Sequence, residues 1–214
     1  MIENFKQMPI AVYEKLLEID KTIEDDTDKL VARVCVVTGK SEDEINAMTA
    51  LAFGVLASQL AFLNNPIPEV EIRKRYDIGG FKLVPTKDIF KMTTAQFVDF
   101  TNFAKQTDNF VEILSCFLVP AGKRYHDGYD AKEVQEAIRT EMSIADANAL
   151  YVFFFRRLLS SLRAILLYSV VTAPKEDEFK EQREQLKEAV QELMRSLNAG
   201  GGKMPSITSL TPLT

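Results

Sequence analysis

The sequence predicts a mainly α protein: a helical bundle with one small β-hairpin and a C-terminal amphipathic helix. Three observations predict it. Apolar residues recur every three or four positions through most of the chain, in runs opened by Ser, Thr or Asp and closed by Gly or Pro. Apolar-polar alternation is convincing at one place, ahead of the Gly79-Gly80 pair. The composition then changes abruptly after Thr172, from apolar to rich in Glu and Lys. The division that follows is a helical domain over 1–172 with the hairpin near 70–84, an amphipathic helix over 173–199 and a disordered tail over 200–214.

Each element has its own signal. In AVYEKLLEID, Val12, Leu16 and Ile19 fall on one helical face with charges between them. In DDTDKLVARVCVVTGK, Thr27 or Asp28 is placed to cap and Gly39 suits the left-handed position after a helix, although the β-branched VCVVT also fits a strand. Ser41 and Glu44 form a capping-box pattern, so a helix begins there and is expected to run through TALAFGVLASQLAFL to the stop at Pro66 and Pro68. Being apolar nearly all round, this helix is expected at the centre of the core.

Val70, Ile72 and Tyr76 alternate with charged residues before Gly79-Gly80 turns the chain into FKLV, which predicts the hairpin. Thr93 or Thr94 is placed to cap AQFVDFTNFAKQ, with Phe97, Phe100 and Ala104 on one face. Thr107 or Asp108 is placed to cap NFVEILSCFLV, which Pro120 and Gly122 stop. A short helix over AKEVQEAIRT precedes a long one opened by Ser143 with Asp146 three residues on. Leu150, Phe154 and Leu158 lie on one strip of the long helix, Val152, Phe155 and Leu159 on another, and Arg156, Ser160 and Arg163 mark a narrow wetter side. Of Phe153, Phe154 and Phe155, at least two must face inward, since three adjacent side chains point around most of a helix.

In the C-terminal segment, Phe179, Leu186, Val190, Leu193 and Leu197 are spaced by seven, four, three and four, the a/d rhythm of a coiled coil. Barely three heptads is too short to stand alone, so these residues are the candidate partner-binding stripe, docked in cis or in trans.

The charge balance narrows the partners. With 214 residues, 46% of them hydrophobic, the chain is long enough for one full core; a net charge of -5 with scattered Lys and Arg excludes a phosphate-backbone partner. The stretch VFFFRRLLSSLRAILLYSVV resembles a membrane span in length, but each Arg at a span centre costs about 2.5–3.5 kcal/mol against gains of roughly 0.3–0.6 per apolar residue. Arg156, Arg157 and Arg163 therefore cancel most of the gain. No signal peptide is visible, so a cytoplasmic protein is expected. Cys35 and Cys116 sit in apolar runs and read as buried free thiols.

No catalytic, cofactor or metal site is expected from the sequence. VVTGKS lacks the glycine a phosphate-binding loop needs, with Val34 in its place, and reads as a helix stop followed by a cap. The sole histidine, His126, lies beside Asp127 and Asp130 in RYHDGYD, which admits a general base or ligand but is primarily turn chemistry. EDDTD lacks the glycine and distal glutamate of a calcium loop and reads as a solvated helix start.

The order of features from LVPTKDIFKMTTAQFVDF through FVEILSCFLVPAGKRYHDGYD to MSIADANALYVFFF resembles small helical proteins of the tail modules of tailed bacteriophages and prophages, over roughly 72–171, about half the chain. The C-terminal helix lies outside the matched part. The resemblance implies a non-enzymatic tail assembly chaperone or morphogenesis factor that binds a helical tape-measure or tail-tube subunit, with no cofactor. A structural subunit of the virion is one alternative; an enzyme or regulator using the loop around His126 is another. Protein partners and a homo-oligomer are compatible with the pattern, whereas nucleic acid and membrane are not expected.

Overall fold

The computed structural model of the chain describes residues 1–86, 88, 91–104 and 109–172, with side chains described as far as Arg157 and at Ser160. It is mainly helical with a small antiparallel sheet. The C-terminal stripe of Phe179, Leu186, Val190, Leu193 and Leu197, the tail, and Thr107 and Asp108 lie outside the described residues.

Helix α1 (Ile10–Thr22) and helix α2 (Asp26–Thr38) form an antiparallel pair. The segment left open between helix and strand is thus helical, and Gly39 closes it at φ 74° in the left-handed region. Its cap is Asp25, upstream of the expected Thr27 or Asp28: one Asp25 carboxylate oxygen accepts from the N–H groups of both Thr27 and Asp28, leaving Asp26 and Asp28 in the first turn. Arg33, 2% exposed, reaches back across the pair and donates from Nε and the guanidinium terminus to Asp20. Burying a cation is tolerable because that carboxylate meets it.

The Ser41–Glu44 capping box is present with both of its hydrogen bonds, but the helix it starts, α3 (Glu42–Asn46), is short. Thr49 caps a second helix, α4 (Ala50–Gln59), which a 3-10 turn over Leu60–Asn64 continues. Here the structure corrects the sequence reading. None of the residues of α4 is buried, and Leu51 and Val55 stand out into solvent. Phe53, Leu56 and Ala57 are its half-buried side against the core, so α4 lies on the surface and not at the centre.

The hairpin is shorter than expected. Strands β1 (Tyr76–Ile78) and β2 (Phe81–Pro85) pair in register Tyr76 with Leu83, while Val70 and Ile72 precede the sheet and pack on the core from an irregular segment. Gly79 and Gly80 both have positive φ, as a two-residue turn matching the strand twist requires. A third strand, β3 (Leu118–Pro120), pairs with the other edge of β2. The sequence reading had assigned these residues to the end of a helix; instead the chain leaves helix α6 (Phe110–Phe117) directly into the sheet. Thr86 N–H donates to Phe117 O and Ala121 N–H to Lys82 O, extending the β2–β3 ladder at both ends, while β1 pairs with the other edge of β2.

Helix α5 (Thr94–Phe103) is capped by Thr93. The expected apolar face of Phe97, Phe100 and Ala104 is rotated: Phe97 is 42% exposed, and Gln96 and Phe100 are buried. Gln96 occupies the inner face because it serves two backbone groups. Its Oε1 accepts from Thr93 N–H at 2.8 Å, and its Nε2 donates to Cys116 O at 3.0 Å, satisfying a carbonyl near the end of α6.

Helix α7 (Ala131–Glu141), capped by Asp130, and the long α8 (Ile144–Thr172), opened by Ser143, complete the domain. The chain before α1 pairs with their junction: Ile144 N–H donates to Met8 O and Ile10 N–H to Met142 O. Helices α1, α6, α7 and the start of α8 meet in the core, with Leu16, Leu114, Ile138 and Leu150 fully buried. Arg139 ties three of these helices, donating to Glu14 at 2.8 Å and to Glu112 at 3.4 Å. Cys116 is buried and Cys35 half-buried, both free. Among the described residues, no helix is long and apolar enough to cross a membrane.

Candidate partner-binding groove

The paired-Phe region of α8 splits its three rings between two environments. Phe154 and Phe155 are buried, and Phe154 stacks on Phe117 with centroids 4.0 Å apart. Phe153 points the other way and is half-buried. It belongs to a second strip of the same helix, Ala149, Val152, Phe153, Arg156 and Ser160, at spacings of three and four that keep them on one side. This strip is one wall of an open groove of about 990 Å³.

The facing wall is the end of the 3-10 turn at Leu63 and the irregular run from Asn65 to Ile72 that leads toward the sheet, contributing Ile67, Val70 and Ile72, with Phe5 and Tyr13 also in the lining. Pro66 and Pro68 keep this run out of helix and strand, so its apolar side chains cover a core edge without burying a regular element. What fixes it is an ion pair at the start of α8. Arg73 donates to Asp146 Oδ2 at 3.1 Å, and the Ser143 hydroxyl donates to the same oxygen at 2.9 Å. Arg73 N–H donates to the Tyr76 hydroxyl at 3.1 Å, and its guanidinium lies over the Tyr76 ring. The wall is thus clamped to both the sheet and α8.

From Asn148 to Ser160 the groove follows α8 for about 18 Å, a little over three turns. Its lining is apolar through the middle, with charges placed apart: Glu69 on the irregular wall and Arg156 and Arg157 on the helix. The Arg157 guanidinium sits 5.4 Å from the Phe153 ring centroid, a cation over the aromatic face, at an exposed position. Tyr13, in the lining, has its phenol pushed up to about 12 by burial and by the nearby Asp20 charge, so it meets a ligand as a neutral hydroxyl. Such a groove offers apolar contact along one helical face and a cationic end.

The loop around His126 is a separate cluster. His126, at φ 59°, places Nε2 3.5 Å from Asp99 Oδ2, and the Tyr125 hydroxyl donates to that oxygen at 3.0 Å. Cys116 Sγ lies 3.5 Å from the Tyr125 oxygen. Burial pushes the Cys116 thiol up to about 12 and raises the Tyr125 phenol as well, so both stay protonated and Cys116 is no thiolate nucleophile. The expected neighbours Asp127 and Asp130 do not form the cluster: Asp127 is exposed, and Asp130 accepts from Lys132 N–H as the cap of α7. Asp99, from α5, takes their place and was missed by sequence reasoning because it lies 27 positions away. Among the described residues, no group of three or more His, Cys, Asp or Glu converges as a metal site would require.

The candidate stripe after Pro174 lies outside the described residues. The α8 strip follows helical spacing, whereas on the irregular wall the alternation of Val70 and Ile72 reads as strand and the structure places both residues ahead of the sheet. No protein-family model, curated protein or solved structure matches this chain.

Proposed function

We propose that the protein is a non-enzymatic, helix-binding assembly factor, and that the groove beside Phe153 receives one face of an amphipathic helix. The observation that carries this reading is the groove's form: three turns long, apolar along its middle, open to solvent, and walled by a rigid helix and a clamped segment. Recognition of this kind reads apolar anchors at i, i+3, i+4 and i+7, and three turns accommodate that set. Arg156 and Arg157 favour a partner with an acidic residue beside its apolar stripe.

The resemblance to phage tail-module proteins supplies the partner class. On that reading the protein is a tail assembly chaperone or morphogenesis factor in the cytoplasm of a bacterial host, covering apolar helices of a tape-measure or tail-tube subunit until the tube forms. A structural subunit of the virion would use the same groove but remain in the particle.

Co-expression with the proteins of neighbouring genes tests this. The tagged chain is expected to copurify a long helical protein or a tube subunit, and Val152→Glu, which places an acid in the groove's apolar middle, is expected to abolish recovery while the circular dichroism spectrum is retained. Recovery unaffected by Val152→Glu removes the groove from the interaction, and no recovery at all removes the function. Mass spectrometry of purified particles then separates the chaperone, which is absent from them, from the virion subunit.

A further inference from the structure

On the reading that the groove beside Phe153 receives a helix, the chain itself carries an occupant that fits it. Helix α8 continues past the groove's end at Ser160 as far as Thr172, and Pro174, two residues on, opposes any further continuation. Residues 173–214 lie outside the described residues. Their sequence and length nonetheless fix what a helix folded back along α8 would bring to the groove.

The lengths agree first. Counted back from Thr172, Ser160 is 12 residues away and Asn148 24; counted on from Pro174, Leu186 is 12 residues away and Leu197 23. A tight turn at Ala173-Pro174 followed by an antiparallel helix therefore lays Leu186, Val190, Leu193 and Leu197 along Asn148 to Ser160, a stripe of about 17 Å against a groove of about 18 Å. The chemistry agrees next. At helical spacing Val190, Leu193, Met194 and Leu197 share one side, and Glu188, Glu192 and Arg195 fall on the other. Apolar groups alone would enter the apolar middle of the groove, with these charges left in water.

We propose that residues 175–197 occupy the groove of their own chain as a helix antiparallel to α8 and hold it until a partner helix displaces them. The tether favours this occupant over the same segment of a second copy. Two linking residues hold the segment at an effective concentration of roughly millimolar, far above that of a separate chain at micromolar concentration. A partner then binds the full chain more weakly than the emptied groove, by the fraction of time the groove is free.

Two measurements on the full chain test this. With Cys35→Ser as background and Cys116 buried, mild oxidation of Val152→Cys/Leu193→Cys is expected to form a disulfide within one chain, read by mass and by a monomer on a non-reducing gel. Val152→Cys/Leu186→Cys, about 10 Å out of register, is expected to form none. A disulfide between chains, no disulfide, or equal reaction of the two pairs overturns the proposal. The second probe is a labelled peptide of residues 174–199. It is expected to bind Leu186→Asp/Leu193→Asp, whose own segment is released, at least tenfold more tightly than the wild type, and to lose that binding when Val152→Glu is added. Equal binding to the wild type means a vacant groove, and binding to neither means a groove that rejects this segment; each overturns self-occupation. If the aspartates unfold the chain, the disulfide pairs decide. Copurification of an outside helical protein is read independently of both measurements, so this inference and the function of the groove fail separately.

Discussion

Gly54 and Gly79 respond to the same substitution in opposite directions, because their surroundings differ. Gly79 has φ 55°, and a Cβ on it would overlap the Cβ of Ala137 on α7. Its N–H also donates to Glu141 on that helix at 2.7 Å, so the turn is seated on α7 as well as bent. Gly79→Ala is therefore expected to cost about 2–4 kcal/mol, from left-handed strain together with the overlap. Gly54→Ala is expected to add about 0.5–1 kcal/mol to stability, because helical backbone entropy is recovered where the added Cβ meets no neighbour among the described residues. Urea unfolding reads both; a loss at Gly54 would show that its site is crowded within the chain. The turn at Gly79 was legible from the sequence, since a glycine pair between strands has few other uses. Its contact with α7 was not, because local pattern carries no information about a helix that arrives more than fifty residues later.

At the scale of elements, hydrogen-bonding chemistry set the boundaries more reliably than apolar spacing set the faces. Ser41 with Glu44 and Thr93 with Gln96 both form full capping boxes, and Gly39 ends α2 as its conformational freedom allows. The face of α5 was misread because Gln96, polar by type, is buried by the two backbone groups it satisfies. The Ser41–Glu44 box also makes a pH prediction. The Ser41 backbone N–H bonds the Glu44 carboxylate, and with the Ser41 side chain and nearby Lys40 holds it below the usual glutamate range. A lowered folded value means that the carboxylate's stabilisation is fully present above the unfolded glutamate pKa, about 4.3, and is lost as pH falls through the folded one. Glu44→Gln removes that titration. Urea midpoints of the wild type and Glu44→Gln are expected to differ near neutrality and to converge as the solution is acidified, and a gap that stays constant to pH 3 would place the stabilisation elsewhere.

Across the whole molecule, the arrangement depends on which apolar helix takes the centre, and spacing cannot decide this when a helix is apolar on every side. Both α4 and α8 are apolar over most of their circumference, yet the start of α8 is buried in the core and α4 lies at the surface. What distinguishes them is ring packing between distant segments. Phe117 on α6 meets Phe100 on α5 edge-on at 5.3 Å and stacks on Phe154 of α8, joining three helices at one point. The helical class and several of the caps were thus open to a reader of the sequence, and the hierarchy among helices was not. That hierarchy separates stability from binding along α8. Phe117→Ala opens a cavity at the junction and is expected to cost about 3–5 kcal/mol, a large share of the roughly 5–15 kcal/mol that holds a domain of this kind. Phe153, half-buried and touching Phe154 edge-on at 5.5 Å, is tied to the core by much less. Phe153→Ala is expected to cost no more than about 1.5 kcal/mol while weakening helix binding in the groove about tenfold. Denaturation and binding measured on the same two variants check the separation. If Phe153→Ala unfolds the chain as readily as Phe117→Ala, the groove face of α8 is core, and the binding surface must be sought elsewhere.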